Sequence, residues 1–406
     1  MRRMASKSRP AKSLPSTYIW QLPGWPKLAF DASALAGDIS QARLQQGRLL
    51  GLLDAIGLES ARQISRELWV QEAVATAAIE GDMLDLEAVR SSVLRRLGLA
   101  ADRRAPDRHV DGLVEVMQDA TDGYQAVLDH DRLCRWQSAL FPGGTSGIRR
   151  IAVGRYRDHA DPMQIVSGVP GREVVHYTAP ASSRVAQEMD GLLAWFEGTR
   201  PVRGASAAAP PAMDGIVRAA LAHLWFEVIH PFEDGNGRLG RAIVDMAMAQ
   251  DLGSPIRLFG IARQMLESRA AYFDALTQAE RGGLDVTPWV LWFVQAFTGS
   301  CVTAQAVVKH AVDKAAFRLR ASSFATNERQ GKVLNRLLEA GADGFLGGMT
   351  ADKYSKLTGA SKATATRDLQ GLLSNGLLVV QGLGKATRYA VNIEGWNRQD
   401  ADGAAD

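Results

Sequence analysis

Apolar residues recur along this chain at helical spacing far more often than at the alternation of a strand, so the predicted elements are almost all helices. Over residues 216–229, Val217, Leu221, Leu224 and Val228 fall at i, i+4, i+7 and i+11, one buried stripe that Pro231 ends. Leu239, Ile243 and Met246 share one face of a second helix, which reaches about Asp251 and is stopped by Gly253. Similar patterns predict helices over 33–56, 85–97, 109–129, 181–200, 263–280 and 287–297. Another covers 60–81, where Ile64, Leu68, Ala75, Ala78 and Ile79 keep the spacing and Gly81 supplies the stop.

The pattern changes in three places. Trp20, Leu22, Pro23, Trp25 and Pro26 make a short extended aromatic stretch. Met163 to Ser167 and Glu173 to Tyr177 are β-prone runs separated by Gly168 and Pro170-Gly171, which predicts a hairpin. Beyond residue 326, helices over 328–339, 351–357 and 361–374 (N-cap Ser361) precede two short strands, 377–380 and 387–391, around Gly382 and Gly384. Three helices and a glycine-tipped hairpin form the pattern of a winged helix, with Lys362, Arg367, Lys385 and Arg388 as candidates to face phosphate. The domains expected are a basic disordered tail (1–16), an N-terminal helical domain (17–100), a core (101–300), a connector (301–325), a winged helix (326–393) and a disordered tail (394–406).

Composition narrows this picture a little. With 406 residues and 46% hydrophobic content each domain can bury a core, and a net charge of +3 neither favours nor excludes nucleic acid. Cys134 and Cys301 lie far apart without further metal-type ligands, as expected for a reducing compartment and no zinc site. The first sixteen residues lack the apolar run of a secretory signal, and no stretch was expected to reach the roughly 18–20 apolar residues of a membrane span. A soluble, cytoplasmic protein is expected, with no membrane partner.

The candidate chemistry is concentrated in residues 230–241, His-Pro-Phe-Glu-Asp-Gly-Asn-Gly-Arg-Leu-Gly-Arg. The segment holds a histidine able to take a proton near neutral pH and an acidic pair, Glu233 and Asp234, suited to a hard cation. Three glycines and two arginines complete it. Residues 234–237 open a helix, where outward N–H groups and missing Cβ atoms make an anion cradle, and Arg238 and Arg241 can reach one anion from the first turn. The same residues satisfy G-x-G-x-x-G, but a dinucleotide fingerprint needs a preceding strand and here a helix precedes it. No phosphate-loop motif of the G-x-x-x-x-G-K-[ST] type occurs.

These twelve residues resemble the signature of the Fic (filamentation induced by cAMP) family, H-x-F-x-[DE]-G-N-G-R-x-x-R, at every specified position. The resemblance implies a mainly α fold: a helical Fic core with a β-hairpin flap, a preceding helical domain and, here, the C-terminal winged helix. It implies transfer of AMP from ATP to a Ser, Thr or Tyr hydroxyl of a protein target. His230 would be the general base, Phe232 the packing beneath the loop, and Asp234 the Mg²⁺ ligand. Gly235, Asn236, Gly237, Arg238, Leu239, Gly240 and Arg241 would bind nucleotide, with Asn236 and its neighbouring amides on the α-phosphate and the arginines on the β- and γ-phosphates. Tyr272 is a candidate adenine neighbour, and Met163, Gln164, Ile165, Val166 and Ser167 would grip the target by strand addition.

Thr76-Ala-Ala-Ile-Glu-Gly81 resembles the family's inhibitory motif, [ST]-x-x-x-E-[GN]. That resemblance implies that Glu80, with Thr76 and Gly81, pairs with Arg241 and blocks the γ-phosphate. In some members this glutamate is thought to help remove AMP. The alternative reading is a nucleotide-sensing winged-helix transcriptional regulator with incidental self-modification. A homodimer and DNA, through the winged helix, stay open as partners.

Overall fold

The structure, a computed structural model, describes residues 17–56, 58–99, 107–167, 174–201, 213–255, 259–342, 344–382 and 384–396. Both expected tails (apart from 394–396), the link at 100–106, the hairpin turn at 168–171, most of the loop at 199–211 and the side chain of Lys385 lie outside the described residues. After a 3-10 turn at Ile19–Gln21 come α1 (Ala32–Ala55), α2 (Leu58–Ile79), α3 (Leu86–Arg96), α4 (Arg108–Asp122) and α5 (His130–Leu140). Two hairpins follow, β1 (Thr145–Ser146) with β2 (Arg149–Arg150), and β3 (Gln164–Ser167) with β4 (Val174–Thr178). The chain then returns to helix in α6 (Ser182–Gly198), α7 (Gly215–Ile229), α8 (Asn236–Leu252), α9 (Ile261–Glu267), α10 (Arg269–Glu280) and α11 (Thr287–Ser322). It ends with α12 (Glu328–Glu339), α13 (Ala351–Thr358), α14 (Lys362–Ser374), β5 (Leu378–Gln381) and β6 (Arg388–Val391). The fold is mainly helical, as the periodicity requires.

Aspartates set many helix starts: Asp85, Asp107, Asp129 and Asp214 each accept from backbone N–H groups of the following first turn, at 2.7–3.4 Å. The Asp129 cap begins α5, a helix absent from the sequence expectation, because its polar, charged face hides the apolar spacing of Leu133, Trp136 and Leu140. The single helix expected over 263–280 is two, α9 and α10, broken at Ser268, whose φ of −112° and ψ of 36° leave the helical region and whose hydroxyl donates back to Gln264 O at 2.8 Å. The helix expected at 287–297 continues to Ser322, since Gly299 alone does not stop it. By length and composition α11 does reach the threshold for crossing a membrane, contrary to the sequence expectation. Its Trp289, Val290, Phe293, Phe297 and Cys301 are nonetheless buried in the core.

The chain divides into two compact units, 1–51 with 61–304, and 52–60 with 305–406. In the first, one hydrophobic core runs from Ile19 to Cys301, so the N-terminal helices and those around residues 230–241 share a single interior. All fifteen residues of α7 are buried, which marks it as the central helix, and α8 packs along it. The second unit has its own core, from Phe317 through Leu337, Tyr354 and Leu369 to Trp396. There α12, α13 and α14 precede the antiparallel pair β5–β6, and Met349 bridges to Tyr389.

Helices α4 and α5, which flank the site, meet at Gly112, where a Cβ would run into the carbonyl of Ala139. Gly112→Ala should therefore force the two helices apart and lower the unfolding free energy by about 1–3 kcal/mol, the usual cost of overpacking. A denaturant midpoint equal to that of the wild type would contradict this close approach.

Candidate active site

The site is the turn from α7 into α8. His230 caps α7 in the left-handed region (φ 50°, ψ 62°), the one non-glycine residue with positive φ among the described residues. Such a conformation costs on the order of 1 kcal/mol and persists only where its surroundings fix it. Here the fixing groups are visible. The buried Arg157 donates through Nε to His230 O at 2.8 Å and through Nη2 to Ile229 O at 3.2 Å and Pro180 O at 2.5 Å. Tyr177 Oη donates to Val228 O at 2.6 Å, and Arg157 N to Pro231 O at 2.9 Å. The last carbonyls of α7, which have no partner within the helix, are thus satisfied by two side chains.

Burial and then the positive charge of Arg157 lower the pKa of His230 to about 4, so its imidazole is neutral and free to accept a proton at pH 7. Its Nδ1 lies 3.8 Å from a carboxyl oxygen of Glu227, one turn back on α7.

Past His230, Phe232 is buried beneath the loop, against Tyr156. Asn236 closes the loop on itself, since its Oδ1 accepts from Phe232 N at 2.9 Å and its Nδ2 donates to Phe232 O at 2.8 Å. The α-phosphate was expected for Asn236 with its neighbouring amides; in this structure its side chain braces the loop. Gly235 takes φ 91° and no side chain caps the start of α8, which leaves the outward N–H groups of its first turn for a ligand. Leu239 is in the core, and Gly240 faces α7, where a Cβ would lie 2.6 Å from Glu227 Oε1 and 2.9 Å from His223 Nδ1. Both were expected at the nucleotide, and Gly240 lets α8 pack close to α7.

Asp234 Oδ1 accepts from Gly235 N at 2.6 Å, and Ser146 of β1 donates to its Oδ2. Among the described residues no group of three or more His, Cys, Asp or Glu is placed to hold a metal. A single partly exposed carboxylate fits a hard cation that takes most of its oxygens from phosphate and water, as Mg²⁺ usually does. Arg238 lies near Asp234 and Asp82, at 3.6 and 3.5 Å, with its guanidinium over the ring of Phe141.

Arg241 is buried and engaged. Its Nε donates to Thr76 Oγ1 at 2.5 Å, and its Nη2 to Thr76 O at 3.0 Å and Glu80 Oε1 at 2.7 Å, across 161 residues of sequence. Burial, the largest single influence, depresses its pKa, but the charge of Glu80, Tyr272, the hydrogen bond to Glu80 and Glu227 together raise it. The carboxylate of Glu80 also rests against Gly237, where a Cβ would collide with Oε1. Glu80 therefore lies over the start of α8, where an anion would be drawn. It is held there as α2 ends, with Gly81 at φ 92° and Arg269 Nε donating to Ile79 O at 3.0 Å.

Strands β3 and β4 pair antiparallel with Ile165 opposite Tyr177 and Val166 opposite Val175, and a register shift between Ile165 and Val166. Met163 and Ile165 pack on the core while Gln164 and Val166 are exposed. Strand β4 is the one tied down: Arg281 donates to the carbonyls of Val175 and His176 at 2.7–3.2 Å, and Trp20 to Thr178 O at 2.9 Å. Tyr272 is misplaced by the sequence expectation. It is buried, its hydroxyl 2.9 Å from His223 Nε2, and it packs on Trp289, Trp292 and Phe273, a core residue rather than an adenine neighbour.

The sequence reading missed Arg157, Tyr177, Ser146 and Glu227, for which no motif gave a signal. Of these Arg157 carries the sharpest consequence: Arg157→Ala should leave three main-chain carbonyls without their donor and cost more than about 2 kcal/mol, given roughly 1–3 kcal/mol for each buried unsatisfied group. Arg157→Lys should recover only part, because a point charge cannot reproduce the planar fork. Urea unfolding measures both, and an alanine variant as stable as the wild type would contradict the clamp.

Residues 18–99 match the model of a domain of unknown function (DUF4172), and residues 127–248 match the model of the Fic/DOC family. The protein adenylyltransferase fic-1 of Caenorhabditis briggsae is 31% identical over 114 residues, 28% of this chain and 19% of that protein. The fic-1 protein adenylyltransferase of Caenorhabditis elegans is 24% identical over 230 residues, covering 56% and 40% of the two chains. The crystal structure of a Fic family protein from Desulfovibrio desulfuricans G20 is 19% identical with a TM-score of 0.48, covering 87% of this chain and 95% of that one. The chain spans less than half the length of the curated relatives it matches. The match to the Fic/DOC family model over residues 127–248 takes in His230 and both arginines of the turn.

Proposed function

We propose that this chain is a protein adenylyltransferase: it moves AMP from ATP to a Ser, Thr or Tyr hydroxyl of a protein target and is held in check by Glu80. The observation that carries this reading is a neutral histidine, fixed in a left-handed turn, beside an uncapped helix start and two arginines. The hydroxyl oxygen would bond to the α-phosphorus as the bond to pyrophosphate breaks, and Nε2 of His230 would take the hydroxyl proton, a general-base contribution of about 10²–10⁴-fold. Backbone N–H groups at the start of α8, with Arg238 and Arg241, would orient the phosphates and stabilise their charge. Mg²⁺ would be held by Asp234 together with the phosphates, neutralising their charge. The target backbone would add to β3, the strand that Arg281 leaves alone.

The Arg241–Glu80 pair supports autoinhibition in two ways. It occupies the guanidinium meant for the γ-phosphate, and it sets a negative charge over the cradle. A triphosphate admitted beside it would sit displaced, and a small misplacement can slow reaction by about 10²-fold. In the second unit, three helices followed by a hairpin support a winged helix, the basis of the regulator reading. The intact His230 in its fixed turn favours the enzyme reading over that one.

Glu80→Gly should raise labelling of protein by α-³²P-ATP by about 10²-fold. Adding Arg241→Ala should cancel the gain and adding His230→Ala should abolish labelling. A Glu80→Gly protein that neither gains transfer nor loses removal of AMP from a modified target would refute the assignment.

The pH dependence has a definite sign. The transfer base must be neutral, so activity is lost as pH falls through the pKa of His230, about 4 rather than 6.5. Glu80 acts to raise that pKa, so removing it does not move the acid limb toward neutrality. The rate of the Glu80→Gly protein should hold level from pH 7 to about 5; a limb centred near 6.5 would contradict a buried, neutral His230.

A further inference from the structure

We propose that Ser146 is the positioning residue of the metal site: its hydroxyl donates to Asp234 and fixes the direction in which that carboxylate meets Mg²⁺. This rests on the reading above, in which Asp234 and the phosphates share the cation.

The contact joins two elements 88 residues apart in sequence. Asp234 Oδ1 accepts from Gly235 N at 2.6 Å, and Oδ2 accepts from Ser146 Oγ of β1. The carboxylate is therefore held at both oxygens, once by the main chain of the turn and once from outside it. Each oxygen keeps a second lone pair, so neither bond closes it to a cation. Arg238 Nη2 stays 3.6 Å from Oδ1, beyond hydrogen-bond range. Two uncharged donors, and not the guanidinium, set the direction of the acid.

The hairpin that carries Ser146 is built against this stretch of the turn. Phe141 caps the end of α5, and its ring lies beneath the guanidinium of Arg238, 4.9 Å away, where a Cβ on Gly235 would come within 2.9 Å of it. Gly144 N donates to Phe141 O at 2.9 Å and Ile151 N to Gly144 O at 3.2 Å, which ties the base of the hairpin to that cap. Within the hairpin Ser146 pairs with Arg149 across a turn in which Gly147 takes φ 55°. Arg149 reaches the carbonyl of Glu233 at 3.5 Å. Glu233 and Asp234 are thus met, one each, by the two members of one cross-strand pair.

Such a brace has a use because Asp234 works with few helpers. Among the described residues no cluster of three or more metal-type side chains is present, and the side chain of Asp234 is 35% exposed. A freely rotating carboxylate would spend part of its time turned to water or toward Arg238, and binding a cation would then cost that freedom. Ser146 removes the freedom beforehand. A water in place of the hydroxyl could satisfy Oδ2, but it would move with the carboxylate and restrain nothing. Hydrogen bonds to a ligating carboxylate are for this reason a large part of a metal site's affinity.

The test is calorimetric titration with ATP of the full chain carrying Glu80→Gly, once in excess Mg²⁺ and once in chelator. The ratio of the two affinities measures what the cation adds. Asp234→Ala should bring that ratio close to unity. Ser146→Ala should lower it about tenfold, toward the Asp234→Ala value, and Ser146→Thr, which keeps the hydroxyl, should preserve it. A distorted cradle would weaken binding in both solutions alike and leave the ratio where it was, so an unchanged ratio in Ser146→Ala overturns the proposal. A Ser146→Thr protein that loses the ratio as fully as the alanine variant overturns it too. If Asp234→Ala itself keeps the ratio, the cation does not use Asp234 and the proposal falls with that assignment. Transfer is read separately: a chain that shows the expected ratios but labels no protein with AMP contradicts the transfer reading and leaves the role of Ser146 standing.

Discussion

A single buried guanidinium holds the end of the central helix. Arg157 is some seventy residues from the carbonyls of Ile229 and His230 that it satisfies, and without it the left-handed turn at His230 would lose the donors to both. The turn sends the chain from α7 into α8, and from its geometry follow the position of the imidazole, the uncapped start of α8 and the approach of the two helices at Gly240. Burying Arg157 lowers its own pKa to about 10, and its charge helps to keep His230 neutral. One residue thus supplies both shape and electrostatics.

The pair between Glu80 and Arg241 is of another kind. A buried ion pair is weak evidence for stability, because desolvating two charges offsets most of their attraction. Glu80 is a third exposed while Arg241 is almost wholly buried, and Arg241 has further donors bound to Thr76. If Glu80 leaves, Arg241 stays anchored and its freed donor faces the cradle. That asymmetry suits a contact made to be exchanged for a phosphate, with the cost of burying the arginine met once by Thr76 and the surrounding fold.

The parts legible in the sequence are those whose meaning is local. Residues 230–241 are one continuous stretch, so their order alone placed the start of the second helix; Phe232 and the hairpin strands could be read for the same reason. The contact of Glu80 with Arg241 spans 161 residues, and only the resemblance of residues 76–81 to a family motif indicated it. Arg157 and Tyr177 were invisible because a cap made across the fold leaves no pattern in its own segment. Tyr272 shows the opposite error: helical spacing says that an aromatic faces inward, but it does not say whether a ligand or other side chains lie there, and here Trp289, Trp292 and Phe273 do. The two hydrogen bonds by which Asn236 braces the loop against Phe232 were likewise not read, since residue type alone does not say where a side chain turns.

The central claim is that Glu80 and the γ-phosphate compete for Arg241. Calorimetric titration of the full chain with ATP and with ADP, each with Mg²⁺, tests it directly, since the two ligands differ only in that phosphate. Wild type should bind both with nearly equal affinity, because Arg241 is occupied, and Glu80→Gly should bind ATP more tightly than ADP. If ATP and ADP remain equal in Glu80→Gly, or if the wild type already prefers ATP to the same extent, the γ-phosphate does not use the site that Glu80 holds.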